Sequence, residues 1–279
     1  MRKYTVNSEI YDLFKKGSRT YFYSSIFFPS KVRNNVFILY SFVRKADNLV
    51  DSIPQNKEGF YEFKNKYEDG LSGRKTNDII IDSFIVMMKR VGIEKEWVKS
   101  FLDSMEADIT KSSYKTMKES LSYMYGSAEV VGLMMGRLLC LKDGHQESAK
   151  MLGRAMQYIN FLRDVKEDNS LGRHYIPSEI LEEYNLSSLD YNEALSKRKD
   201  FTAMMKNEIK RYLKWQKMGE EGFRYIPKFL LIPIRTASDM YRYTASEIYR
   251  DPFVIYRRKV KPSVFRILVR TFLNVIDIY

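Results

Sequence analysis

The sequence predicts an all-α fold. Three observations carry this expectation: apolar residues recur at helical spacing almost throughout, no run shows convincing period-two alternation, and the breakers Pro29, Pro54, Gly70, Gly73, Gly144, Gly172, Pro177, Gly222, Pro252 and Pro262 fall at the joints. The first long helix is placed at Val32–Asp51, between Pro29 and Pro54, and the second at Lys57–Glu68, ahead of Gly70 and Gly73. Helices follow at Asn77–Val91, Glu94–Thr110 and Thr116–Leu141, the last ending before Gly144. His145–Asp168 closes before Gly172, Tyr191–Gly219 before Gly222, and Pro227–Tyr249 before Pro252. Pro233 should kink or interrupt that helix, and Ser263–Ile276 follows Pro262. No low-complexity linker and no repeat of fixed period divides the chain, so residues 1–279 read as one domain with a basic helix near 257–279.

Composition narrows the function. With 44% apolar and 29% charged residues, 13 Gly and 7 Pro, the 279 residues cannot be collagen-like or disordered, and they suffice for a large core. The formal net charge of +12 favours an anionic partner: nucleic acid, a membrane surface or a phosphorylated small molecule. A single cysteine, Cys140, and two histidines, His145 and His174, leave no material for a disulfide or a His/Cys metal site, so any metal site must use carboxylates. No apolar run reaches the length of a membrane span, and the first residues carry no signal-peptide core, which predicts a cytoplasmic protein.

Two carboxylate pairs stand out. In Val32–Asp51 the positions Val36, Tyr40, Val43, Asp47 and Asp51 advance by four, three, four and four, so both aspartates continue a core-facing stripe, with Arg44 one turn before Asp47. Like charges there require either a wet cavity or a divalent cation. In His145–Asp168 the residues Gln157, Asn160, Asp164 and Asp168 form a polar stripe on an otherwise apolar helix. That stripe either lines an internal cavity or closes a structural network. A third pair, Asp78 and Asp82, sits at a helix start, where acidic residues favour the dipole, and is assigned to solvent.

Two helices that each present carboxylates at i and i+4 can hold two or three Mg²⁺ ions with a diphosphate between them, because Mg²⁺ takes few carboxylates and fills its shell with phosphate and water. Such a site favours ionising an allylic diphosphate. No Gly-rich phosphate loop is present.

The segment Arg44-Lys45-Ala46-Asp47-Asn48-Leu49-Val50-Asp51, the run Gln157-x-x-Asn160-x-x-Arg163-Asp164-Val165-x-Glu167-Asp168 and the following Gly172-Arg173-x-Tyr175-x-Pro177 resemble the squalene/phytoene synthase family. The opening Ser18-Arg19-Thr20-Tyr21-Phe22, ending at Pro29, and the stretch from Met105-x-x-Asp108 to Tyr123-x-Tyr125-Gly126 agree. The resemblance implies an isoprenoid synthase fold around a central cavity and Mg²⁺-dependent head-to-head condensation of two prenyl diphosphates through a cyclopropyl diphosphate. It implies that Asp47, Asp51, Asp164 and Asp168 bind the metals with Asn160 beside them, and that Ser18, Arg19, Arg44 and Arg163 hold diphosphate. Gln157 would line the same pocket, Tyr125 and Tyr175 would stand near the reacting carbons or the departing diphosphate, and Arg257 or Arg258 would add a late phosphate contact.

Asn48 departs from the family pattern, which often has a further Asp there. Arg173-x-Tyr175-x-Pro177 is more similar to the phytoene and dehydrosqualene synthases, which finish by losing a proton, than to the reductive squalene synthases, so NADPH is not expected. The leading expectation is a phytoene synthase-like enzyme joining two geranylgeranyl diphosphates, with farnesyl diphosphate as the alternative substrate. The competing class is a non-catalytic helical protein whose basic tail meets membrane or nucleic acid; for the enzyme, no nucleic acid is expected.

Smaller features divide similarly. Ala128, Gly132 and Gly136 form a small-residue ridge suited to close packing or to a prenyl chain. The run Arg257-Arg258-Lys259-Val260-Lys261 leads into a partly amphipathic helix that could rest peripherally on anionic lipid or dock as a solvated terminus.

Overall fold

The structure, a computed structural model, describes residues 6–278 with every side chain but that of Arg19. Residues 1–5 and Tyr279, which the single-domain expectation includes, lie outside that range. The helices are α1 (Ser8–Gly17), α2 (Arg19–Ser25), α3 (Ser30–Asp51), α4 (Lys57–Leu71), α5 (Ile79–Val91), α6 (Lys95–Thr110), α7 (Met117–Met124) and α8 (Val130–Leu138). They continue with α9 (Gln146–Arg163), α10 (Val165–Ser170), α11 (Ser178–Glu183), α12 (Tyr191–Ser196), α13 (Arg198–Glu220), α14 (Lys228–Arg250), α15 (Val254–Arg257) and α16 (Val264–Ile278). Among the described residues there is no strand, only an isolated bridge between Ser113 and His174.

Local chemistry sets the ends. Side chains of Asn7, Ser18, Asn56, Asp78 and Thr116 accept backbone N–H bonds at the starts of α1, α2, α4, α5 and α7, satisfying donors that have no partner within the helix. Gly92 ends α5 in the left-handed region, at φ +74°. Asp78 is therefore a structural cap, also paired with Lys45 at 2.5 Å, and Asp82 accepts from Thr76 at 2.7 Å. Neither belongs to the cavity wall.

Three expected helices are divided. Thr116–Leu141 is interrupted by a π-helical turn at Tyr125–Glu129, where a Cβ on Gly126 would lie 2.2 Å from the Ser100 carbonyl oxygen. His145–Asp168 breaks at Asp164, whose φ and ψ are −98° and 13°, although the Asp168 N–H still donates to the Asp164 carbonyl at 2.8 Å and preserves the spacing. Tyr191–Gly219 breaks at Lys197. The expected interruption at Pro233 is absent: α14 runs through it. The short α1, α2, α11 and α15 had no counterpart among the expected helices.

Two apolar clusters fill the interior. One gathers around Phe14, Phe42, Phe84 and Phe101, the other around Tyr158, Phe161, Phe201 and Tyr212. Helix α9 packs against α8, α13 and α14. A cavity of about 540 Å³ is walled from Phe14 of α1 to Lys261 beyond α15. The small-residue ridge serves packing: a Cβ on Gly132 would lie 2.3 Å from the Ala149 carbonyl oxygen, and one on Gly136 would lie 2.2 Å from His145 Nε2. Both glycines also border the cavity.

Candidate active site

One face of α3 brings Val36, Leu39, Tyr40, Val43, Arg44, Asp47 and Asp51 to the cavity, while Phe42, Ala46 and Val50 are buried away from it. Across it, α9 contributes Gln157, Asn160 and Arg163, the break supplies Asp164, and α10 supplies Glu167 and Asp168. Tyr175 joins the same wall. The remainder is largely apolar, with Phe28, Leu139, Leu141, Phe223, Ile226 and Ile234 among its members.

Each acidic pair carries its own cations. Arg44 is paired with Asp47. Arg163 grips Asp164 with two bonds, Nε to Oδ1 at 2.8 Å and Nη2 to Oδ2 at 2.5 Å, and Lys259 reaches Asp164 at 3.2 Å and Glu167 at 3.1 Å. Asp51 receives Arg173 Nη1 at 2.6 Å. Behind Asp51, Tyr123 and Tyr175 donate to the two oxygens of Asp108 at 2.7 and 2.9 Å, and Arg173 lies within 3.4 Å of the Tyr175 hydroxyl.

This arrangement separates the carboxylates electrically. Burial, then Asp164 and Asp51 across the cavity, pushes Asp168 up to about 8. Burial and Asp51 push Asp47 to about 7 against the opposing pull of Arg44. Burial raises Asp108 to about 6, less than it otherwise would because Arg173 and the two tyrosines favour its anion. Asp164 is also buried, yet Arg163 and Lys259 together hold it below the ordinary carboxylate range.

These residues fit divalent cations that bring their own phosphate ligands. Among the described residues no three His, Cys, Asp or Glu side chains converge to enclose a metal unaided. Instead, two aspartates stand on each wall, Asp47 and Asp168 with raised proton affinity, and the buried Asn160 Oδ1 has no hydrogen-bond partner. An orphaned carbonyl oxygen beside repelling carboxylates is suited to a hard cation.

A family profile described as squalene/phytoene synthase matches residues 14–266. The chain belongs to the squalene/phytoene synthase family. The family is one of prenyltransferases, generally metal-dependent, so the chain is an enzyme of that class. It is 26% identical to a 15-cis-phytoene synthase of Synechocystis sp., over 87% of this chain and 76% of the relative, and 24% identical to a 15-cis-phytoene synthase of Pantoea ananas, over 81% and 77%. The fold matches a dehydrosqualene synthase crystal structure with a TM-score of 0.86, 22% identity and 98% of both chains covered. It matches a squalene synthase of Alicyclobacillus acidocaldarius with a TM-score of 0.78 and 19% identity, over 88% and 94% of the two chains.

Within this squalene/phytoene synthase fold, not every expected residue reaches the cavity. Ser18 caps α2, accepting from the Tyr21 N–H at 3.2 Å, and is not on the cavity wall; the side chain of Arg19 lies outside the described residues. Tyr125 opens the π turn, is 40% exposed and is off the wall, whereas Tyr123, two residues earlier and about 200° away round the helix, faces inward. Arg257 and Arg258 are exposed and paired with Asp251 and Glu247; the cavity is reached instead by Lys259 and Lys261. Sequence reasoning also missed Asp108, Tyr123 and Arg173 as site residues, although all three stand inside the matching motifs. Their signal was polarity in segments that pack among apolar neighbours.

Proposed function

We propose that the chain joins two molecules of geranylgeranyl diphosphate head-to-head, releasing diphosphate and forming phytoene through a cyclopropyl diphosphate. The observation that carries this reading is a single cavity with two facing aspartate pairs and their arginines on part of its wall and apolar side chains over most of the rest. Asp47, Asp51, Asn160, Asp164 and Asp168 would hold two or three Mg²⁺ ions. Bound Mg²⁺ neutralises the leaving diphosphate as charge develops on it.

The protein's own groups divide the remaining work. Arg44, Arg163 and Lys259 are placed to take diphosphate oxygens, and Gln157 borders the same space. Arg173 orients Asp51, and the Tyr123–Asp108–Tyr175 cluster holds Arg173 from behind. The apolar wall accommodates prenyl chains and keeps water from a developing allylic cation. The cavity takes residues from Phe14 to Lys261, which supports one catalytic domain over 1–279. A product without polar groups also suits peripheral attachment to a membrane through the basic C-terminal helix; no described helix is long and apolar enough to cross one.

The test is to incubate purified protein and Mg²⁺ with farnesyl or geranylgeranyl diphosphate, with and without NADPH, and to identify the hydrocarbon by mass. Phytoene from geranylgeranyl diphosphate without NADPH is expected. No hydrocarbon from either substrate overturns the reading, and exclusive use of farnesyl diphosphate corrects the chain length.

A further inference from the structure

Helix α16 is docked on one side through mixed apolar and polar residues and leaves a second, wholly apolar side uncovered among the described residues. Ile267, Thr271, Asn274 and Ile278 are buried against α2 and α14. Asn274 Nδ2 donates to Thr236 Oγ1 at 3.2 Å and to Asp239 at 2.9 Å, and Arg270 pairs with Asp239 at 2.7 Å, which fixes the docked side. On the other side Phe265 is 77% exposed, Phe272 65% and Ile276 60%, and Leu268, Val269, Leu273 and Val275 are exposed beside them. At 100° per residue these seven side chains fall within one arc of about 160° that contains no polar residue. A contiguous apolar face of this kind marks a contact surface.

The charge around it selects the partner. Arg266 borders the apolar arc and stacks over Tyr243, and the chain behind the face carries a net charge of +12, although Arg257, Arg258 and Arg270 are paired within the protein and Lys259 and Lys261 face the cavity. Two copies of this face would bring together like-charged segments of chains that each carry +12. An anionic bilayer meets both demands. Position agrees: α2 and α14, on which α16 lies, supply Ser24, Ser25, Pro233, Ile234 and Ala237 to the cavity, so one helical layer separates the exposed face from the cavity. Arg270 pairs with Asp239 and Asp277 with Arg235, so α16 runs antiparallel to α14. Its exposed strip therefore ends towards the start of α14, where Phe229 is half exposed.

We propose that the outer face of α16 is an interfacial docking surface for an anionic lipid bilayer, set beside the cavity so that long-chain substrate and product pass between enzyme and membrane. This rests on the reading of the cavity as a prenyl-chain site, but its test needs no turnover. The full chain is sedimented with vesicles of phosphatidylcholine alone or mixed with phosphatidylglycerol. Partitioning into the mixed vesicles is expected to exceed that into phosphatidylcholine by tenfold or more and to fall with salt. The Phe265→Ser/Phe272→Ser double variant should lose most of it while keeping its thermal melt and its turnover of detergent-dispersed substrate. In a Phe272→Trp variant, tryptophan emission beyond that of the unaltered chain should shift to the blue with the mixed vesicles only. Failure of the unaltered chain to bind, equal binding by the double variant, or a dimer that the double substitution dissolves would each overturn the proposal. Binding without any hydrocarbon product would leave the docking surface standing and reject the catalytic reading alone.

Discussion

Arg173 places Nη1 2.6 Å from Asp51 Oδ1 and Nη2 2.5 Å from the Val50 carbonyl, so a residue beyond α10 holds the last turn of α3. The guanidinium is almost wholly buried, whereas Asp51 faces the cavity. Truncation to Ala would leave the backbone carbonyl and Asp108 without their buried cation. Arg173→Ala is expected to cost about 2–4 kcal/mol, below the full penalty for a buried pair because Asp51 is partly wet. Urea denaturation in the absence of Mg²⁺ measures this, and an unchanged midpoint would show that the contact does not hold α3.

Removal of charge at the acidic pairs should separate stability from activity. Asp168→Asn eliminates a carboxylate raised by burial and by Asp164 and Asp51, so the metal-free protein should melt at the same temperature or higher. Turnover with Mg²⁺ should fall about 10³-fold or more for Asp47→Asn, Asp164→Asn and Asp168→Asn. If Asp47→Asn and Asp164→Asn each turn over prenyl diphosphate normally, the roles given to them are wrong.

The raised carboxyls also fix the sign of the pH response. Between the ordinary carboxylate value near 4 and the folded values of about 7 for Asp47 and about 8 for Asp168, the folded state binds more protons than the unfolded chain. Stability of the metal-free protein should therefore decline as pH rises through 7 and 8. Mg²⁺ binding must expel those protons, so affinity should strengthen from pH 6 to pH 8. Calorimetry in buffers of different ionisation heat should register net proton release; proton uptake would contradict the assignment.

Tyr123 and Tyr125 are expected to behave differently despite their proximity in sequence. Tyr123→Phe removes one of the two donors to buried Asp108 and should lower kcat about tenfold or more through loss of positioning of Arg173 and Asp51. Tyr125→Phe alters an exposed side chain off the wall and should leave kcat within about twofold. Steady-state kinetics on the pair decides, and the reverse order would restore the tyrosine first expected at the site.

The long helices were legible because their apolar period persists over many turns. Helix α2, with seven residues, and α15, with four, are too short for periodicity to register, and their helical state depends on packing against larger neighbours. The aspartates and amides of α3 and α9 announced themselves as polar residues on core-facing stripes. The mistaken positions have two physical origins. Tyr123 and Tyr125 lie about 200° apart round the helix, so only one can face inward, and Arg257 and Arg258 found Asp251 and Glu247, leaving the next cation in line, Lys259, for the cavity. Neither outcome is written in local spacing, since one depends on which face of the helix the fold turns to the cavity and the other on which acids the neighbouring elements present.

The wall that begins with Phe14 and is completed by Lys259 and Lys261 has a consequence for synthesis of the protein. A chain emerging from the ribosome leaves the acidic and oily linings open to solvent until Lys259 and Lys261 have left the exit tunnel. Helices α3 to α9 can associate earlier, but the reaction chamber is complete only once the segment after α15 has emerged and folded back.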